Sequence, residues 1–121
     1  MSAIRDDGVI IEQGSVFRRS YAFNGLDLTG ATARMEVRDV PGGDILLAIG
    51  MPPVDGSGIE IDVSTSSTNE VVSTVSLTAL QDLTTDLVAG AVVMDVKVTS
   101  AAGEDSRLVE GRWRISAQVT V

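Results

Sequence analysis

Alternation constrains this chain more than any other feature. In residues 113–121, Trp113, Ile115, Ala117, Val119 and Val121 share one parity, and Arg114, Ser116, Gln118 and Thr120 share the other. In residues 32–38, Ala33, Met35 and Val37 alternate with Arg34, Glu36 and Arg38. Ile59, Ile61 and Val63 alternate with Glu60 and Asp62, and Val92, Met94, Val96 and Val98 alternate with Val93, Asp95 and Lys97. Successive side chains of a strand point to opposite faces, so a period of two buries one face and wets the other. That is what an antiparallel sheet with one solvated side requires.

Four less regular stretches extend the pattern: residues 8–12, 16–23, 44–49 and 70–77. In 16–23, Phe17, Tyr21 and Phe23 share a face, with Arg19 as the exception. In 70–77, Val71, Val75 and Leu77 share a face that Ser73 interrupts. Eight candidate strands result. Turn chemistry separates them at Asn24-Gly25, in residues 39–43 and 51–58, and in residues 101–105, which join the last two strands as a hairpin. Residues 64–69 are rich in Ser and Thr and read as an exposed loop. Residues 78–87 break the rule, because Leu80, Leu83 and Leu87 follow helical spacing. Thr78 offers a cap there, and Asp82 or Asp86 a second.

The fold class expected is all-β: an antiparallel immunoglobulin-like β-sandwich of about 7–8 strands, with one short helical crossover near residues 78–87. A closed barrel is the alternative. One domain spans residues 1–121, and the alternation predicts a paired strand through to Val121. The core must be mainly aliphatic, because Phe17, Tyr21, Phe23 and Trp113 are the only aromatics in a chain that is 44% hydrophobic. The parity of Trp113 sends it inward rather than toward a partner.

The chemistry the chain can perform is narrow. Nine Lys+Arg stand against seventeen Asp+Glu, a formal charge of −8. That argues against nucleic acid, which demands a basic footprint, and against an anionic membrane surface. No His or Cys is present, which removes the commonest general base and metal ligand, and every thiolate. Lys97 is the single lysine and falls on the polar side of its strand, where it reads as a solvated group. Arg18-Arg19, Arg34 with Arg38, and Arg112 with Arg114 read as scattered over different strands, with Glu36 as an ion-pair partner for Arg34 and Arg38. Residues 42–43 and 56–58 are glycine-rich but lack a phosphate-loop lysine.

Asp55, Glu60 and Asp62 are weak candidates for a metal, because residues 55–60 have the oxygen-rich character of a calcium loop. The third acidic position and the position-twelve glutamate of such a loop are missing, and a tight turn explains the glycines. Asp39, Asp44 and Asp55 are a second set that folding could gather. A glycosidase pair from Glu60 and Asp62 conflicts with their alternation with Ile59 and Ile61, the mark of a wet face. The expectation is no catalytic residue and no cofactor. Residues 1–7 lack the apolar segment of a secretory signal, and no apolar run approaches the ~20 residues of a membrane span.

Residues 25–32, Gly-Leu-Asp-Leu-Thr-Gly-Ala-Thr, leading into the alternating strand at 34–38, resemble the entry strand of small β-sandwich domains in phage tail, tail-fibre and baseplate proteins. Gln13-Gly14-Ser15 before an aromatic strand is similar to the opening of that family. Residues 77–87 leading into Met94-Asp95-Val96 are similar to its leucine-rich turn and apolar-Asp-Val strand, although many members carry an aromatic where this chain has Met94. Gly103, Leu108-Val109-Glu110-Gly111 and the strand from Trp113 resemble its closing hairpin. The order covers nearly the whole chain. The resemblance implies a non-enzymatic structural part of a phage or prophage virion near the tail, tail tip or baseplate. Such a part docks to other virion proteins, forms homo-oligomers, and is assembled in the bacterial host cytoplasm, with no nucleic acid or membrane as partner. A head-decoration or head–tail joining protein and a carbohydrate-binding module for host-surface attachment are the alternatives. Asp95, an acid in a valine strand, is expected to tie down a neighbouring loop, and Asp27 to accept from local backbone amides.

Overall fold

The computed structural model describes residues 3–117, so residues 118–121 of the last expected strand lie outside the described part. The chain forms β1 (Ile4–Arg5), β2 (Ile10–Glu12), β3 (Phe17–Asn24), β4 (Thr32–Arg38), β5 (Ile45–Ile49), β6 (Gly58–Thr65), β7 (Val71–Ala79), α1 (Gln81–Thr84), β8 (Gly90–Thr99) and β9 (Asp105–Ser116). Two sheets result. The larger has the order β1-β9-β8-β4-β5, with β2 also on β9, and the smaller has the order β3-β7-β6. Their inner faces meet in one aliphatic core, fed by Met35, Val37, Met94, Val96 and Ile115 from one side and by Ile59, Val75 and Leu77 from the other. All four aromatics are buried in it. The rings of Phe17 on β3 and Trp113 on β9 meet across the sheets with centroids 5.3 Å apart. The chain is thus an all-β sandwich, and no helix among the described residues is long and apolar enough to cross a membrane.

Three features depart from the sequence expectation. First, the strands number nine among the described residues, and β1 and β2 run parallel to β9 while all other strand pairings are antiparallel. Second, the last strand begins at Asp105, not near Trp113, and ends at Ser116, leaving Ala117 exposed. A β-bulge hides its first half from a parity reading. Val96 pairs with Val109 and Lys97 with Arg107, so Leu108 is the extra residue, and Leu108 and Val109 are both buried although adjacent. Third, the helical crossover is as short as expected, a single turn, but it starts later and without the expected cap. Thr78 and Ala79 belong to β7, Leu80 holds the N-cap position with no side-chain cap, and only residues 81–84 are helical. The residue of α1 that is fully buried is Thr84, whose hydroxyl donates to the Ser15 carbonyl oxygen at 2.7 Å.

Buried polar groups are placed to fasten loops. Ser73, the interruption in its strand, faces inward at the core. Its hydroxyl donates to the Leu26 carbonyl at 2.6 Å and accepts from the Leu28 amide at 3.0 Å, tying residues 25–31 to β7. Ser57 does the same for Leu80, accepting its amide at 2.9 Å. Asp27 accepts both the amide and the hydroxyl of Thr29, as expected, in the turn that leads to β4.

Residues 6–9 run between β1 and β2 along the edge of β9. The Asp6 amide donates to the Glu110 carbonyl and the Gly8 amide to the Arg112 carbonyl, both at 2.9 Å. The Trp113 indole N–H donates to the Asp6 carbonyl at 2.8 Å. Gly111 makes this passage possible, because a Cβ there would lie 2.0 Å from the Asp6 carbonyl oxygen. Gly111→Ala must therefore push the N-terminal segment off β9. We expect urea denaturation to show a loss of about 1–3 kcal/mol or more, the range for forcing atoms into a packed site. An unchanged midpoint would contradict this seating of residues 6–9.

Candidate functional site

The outer face of the larger sheet gathers charge in rows. The inward turn of Ala33, Met35 and Val37, of Val92, Met94, Val96 and Val98, and of Val109 and Trp113 leaves the alternate residues on the outer face. Cross-strand register then sets them side by side. Glu36 on β4 stands opposite Asp95 on β8, and Asp95 stands opposite Glu110 on β9. Arg5 on β1 extends that row beyond Glu110. On one flank lie Arg34, Lys97 and Arg107, paired across the same three strands, and on the other lie Arg38, Val93 and Arg112. An acidic row thus runs between two rows rich in cations.

Like charges directly opposite one another destabilise a sheet, so the acidic row depends on its flanks. Arg34 Nε and Arg38 Nη2 each meet Glu36 at 2.9 Å, and Arg107 reaches Asp95 at 3.4 Å and Glu110 at 3.2 Å. Hydrogen bonds from Arg34 and then from Arg38 hold the Glu36 carboxyl below its ordinary range. Arg38 also donates to the Gly43 carbonyl at 2.6 Å, which fixes the β4–β5 turn against this face. An open depression of about 590 Å³ lies over the rows, lined by Arg5, Arg38, Lys97, Arg107 and Arg112 together with the three acids.

A second cluster sits at the rim between the sheets. Asp6 accepts from Arg19 Nε at 2.7 Å and from Arg19 Nη2 at 2.8 Å, and it accepts the Tyr21 hydroxyl. Arg19 breaks the apolar face of β3 because it reaches this carboxylate on the segment that runs along β9. The Arg19 guanidinium pulls the Asp6 carboxyl below its ordinary value, partly offset by burial, and Asp6 in turn raises the Arg19 guanidinium. Burial, then the hydrogen bond to Asp6, pushes the Tyr21 phenol up. Asp7 accepts the Arg112 amide at 2.8 Å and Arg5 Nε at 3.0 Å, and both contacts lower its carboxyl. The cluster joins the two sheets at one edge.

The residues singled out in the sequence fall in separate places. Asp55 lies in the tight turn bridged by Val54 and Ser57, with φ of 52°. Glu60 and Asp62 point to solvent from β6, one of the two edge strands of the smaller sheet. Asp39 caps the Val40 amide in the β4–β5 turn. Among the described residues no group of three or more acidic side chains is placed to hold a metal ion. Lys97 is exposed on the outer face of β8, as its parity predicts. Asp95 does not tie down a loop: it lies in mid-strand on that face and pairs with Arg107. Arg34 and Arg38 on β4 and Arg112 and Arg114 on β9 lie on different strands, as read, but on one sheet with β8 between them, while Arg18 and Arg19 stay on β3 of the other sheet. No local signal gives that order, so the rows were invisible in the sequence, and only the Glu36 pairs were not. Compared with known proteins, the sequence matches no family model and no curated protein.

Asp6→Asn isolates the rim cluster. A carboxyl whose folded-state pKa is lowered contributes stability that is present above its unfolded value and lost as pH falls through the folded one. We expect Asp6→Asn to reduce stability by about 1.5–3 kcal/mol near neutral pH, the range for hydrogen bonds to charged groups. That difference should shrink once pH drops below 3.8, the ordinary Asp value. Urea titrations of both proteins across that range check it, and a gap independent of pH would show that the Asp6 charge is not what holds the rim.

Proposed function

We propose that this chain is a non-enzymatic docking and assembly module of a phage or prophage virion, associated with the tail, tail tip or baseplate, built on an immunoglobulin-like sandwich. The observation that carries docking is the edge strand β5. It closes one side of the larger sheet with the uncharged sequence Ile-Leu-Leu-Ala-Ile, and Ile45 at its start and Val40 in the turn before it are 44% and 56% exposed. Open edges are normally blunted by charge. The opposite case is on the same molecule, since the open edge β6 carries Glu60 and Asp62. An uncharged, rigidly backed edge suits main-chain pairing with a strand of another protein.

Two further observations support the reading. The order β9-β8-β4-β5 facing β3-β7-β6 agrees with the immunoglobulin arrangement, in which an extra strand joins the sheet of the last two strands. The segments that resemble phage tail domains fall on framework positions. Residues 25–31 are the turn held by Ser73, and Leu108 to Gly111 form the bulge and the passage for the N-terminal segment. Such a module acts by surface complementarity, in several copies, and changes no covalent bond.

Mass spectrometry and immunogold labelling of purified particles test the role. The chain should be present and confined to the tail region, and particles lacking it would contradict the proposal. Ile45→Lys adds a blunting charge at the β5 edge. It should leave the melting temperature within a few degrees, as surface changes do, yet reduce incorporation into particles by roughly tenfold or more, the scale of losing one central contact. Full incorporation of Ile45→Lys would remove β5 as the docking edge.

A further inference from the structure

We propose that the outer faces of the two sheets are mutually complementary, so that copies of this chain associate head to tail, the β9 face of one against the β6 edge of the next. Arg112 and Arg114 stand outward two residues apart on β9, and Lys97 stands outward on β8 opposite Arg107, at the other end of the same face. None of the three makes an ion pair among the described residues. On the smaller sheet Glu60 and Asp62 stand outward two residues apart on β6, and Glu70 follows in the hairpin to β7. These three acids are exposed and make no ion pair either.

The spacings agree. Two residues along a strand span about 6.6–6.8 Å, so the Arg112–Arg114 and Glu60–Asp62 pairs have the same pitch. Laid antiparallel over β9, β6 sets Glu60 against Arg114 and Asp62 against Arg112, and it carries Glu70 toward the Lys97 end. Asp39, Asp44, Asp55, Asp82, Asp86 and Glu104 are acids on turns or in α1, and they offer no such ruled line. The matched patches lie on opposite faces of one sandwich, so a copy cannot satisfy its own. The contact is heterologous and repeats into a ring or a filament. It is a property of the isolated chain and does not depend on a virion role.

Sedimentation at about 0.15 M salt tests it, where charges further apart than about 8 Å are screened and apposed ones are not. Wild type should self-associate, and about 1 M salt, with a screening length of about 3 Å, should abolish this. Arg112→Glu with Arg114→Glu, and separately Glu60→Lys with Asp62→Lys, should each weaken self-association by about tenfold or more, as like charges then meet. An equimolar mixture of the two double variants should recover wild-type association within about threefold, because each reversed face then finds its complement. A monomeric wild type, a double variant that associates like wild type, or a mixture that fails to recover would each overturn the proposal. A zero-length carbodiimide cross-link on wild type decides the matter independently of how the variants fold. Lys97 should join residues 60–70 of another copy, and the absence of that link overturns the proposal.

Discussion

Strand register on the larger sheet is the constraint from which the rest follows. A slip of one residue in β4, β8 or β9 would carry Met35, Val37, Met94 and Val96 into water and drive Glu36, Asp95 and Glu110 into the core. The register is fixed because the inner residues are aliphatic over three adjacent strands. Once they turn inward, the polar residues have no freedom about where to stand. The acidic row between cation-rich flanks is thus a by-product of core packing that the arginines make tolerable, with Glu36 bridged twice and Arg107 shared between Asp95 and Glu110.

The same logic explains the edge where the chain begins. Residues 6–9 lie along β9 because Gly111 leaves room for a carbonyl and Trp113 offers it a proton. The Asp6 side chain then reaches Arg19 and Tyr21 on the other sheet. One aspartate serves both sheets, through its backbone on one side and its carboxylate on the other. At the far edge β5 carries no charged side chain, and β6, one edge of the smaller sheet, carries Glu60 and Asp62. β5 and β6 thus show two different treatments of an edge strand on one small molecule, one without charge and one with it.

Much of this was legible in the sequence where the cause is local. Alternation placed β4, β6 and β8 within a residue or two, and it sent Trp113 inward. Glu36 between Arg34 and Arg38 was readable as a set of ion pairs because all three share a strand and a parity. What was not legible is non-local. The bulge at Leu108 cancels the parity signal of β9, and Ser73 and Arg19 looked like defects until the loop and the aspartate they bind came into view. The leucines at 80, 83 and 87 pointed to the short helical turn that forms, but not to where it starts, because β7 continues through Ala79 in its ladder with β3. The grouping of arginines needed the strand order, which no spacing along the chain encodes.

An acidic chain that places most of its cations on one flat face has an uneven surface field, and unevenness of that kind steers partners and sets register more than it adds affinity. The whole account depends on which residues face which across β4, β8 and β9. Interstrand backbone contacts in the nuclear Overhauser spectrum of labelled protein test this most directly. The account predicts contacts that pair Glu36 with Asp95 and Asp95 with Glu110. Contacts displaced by one residue, with Glu36 against Met94 or Val96, would contradict it.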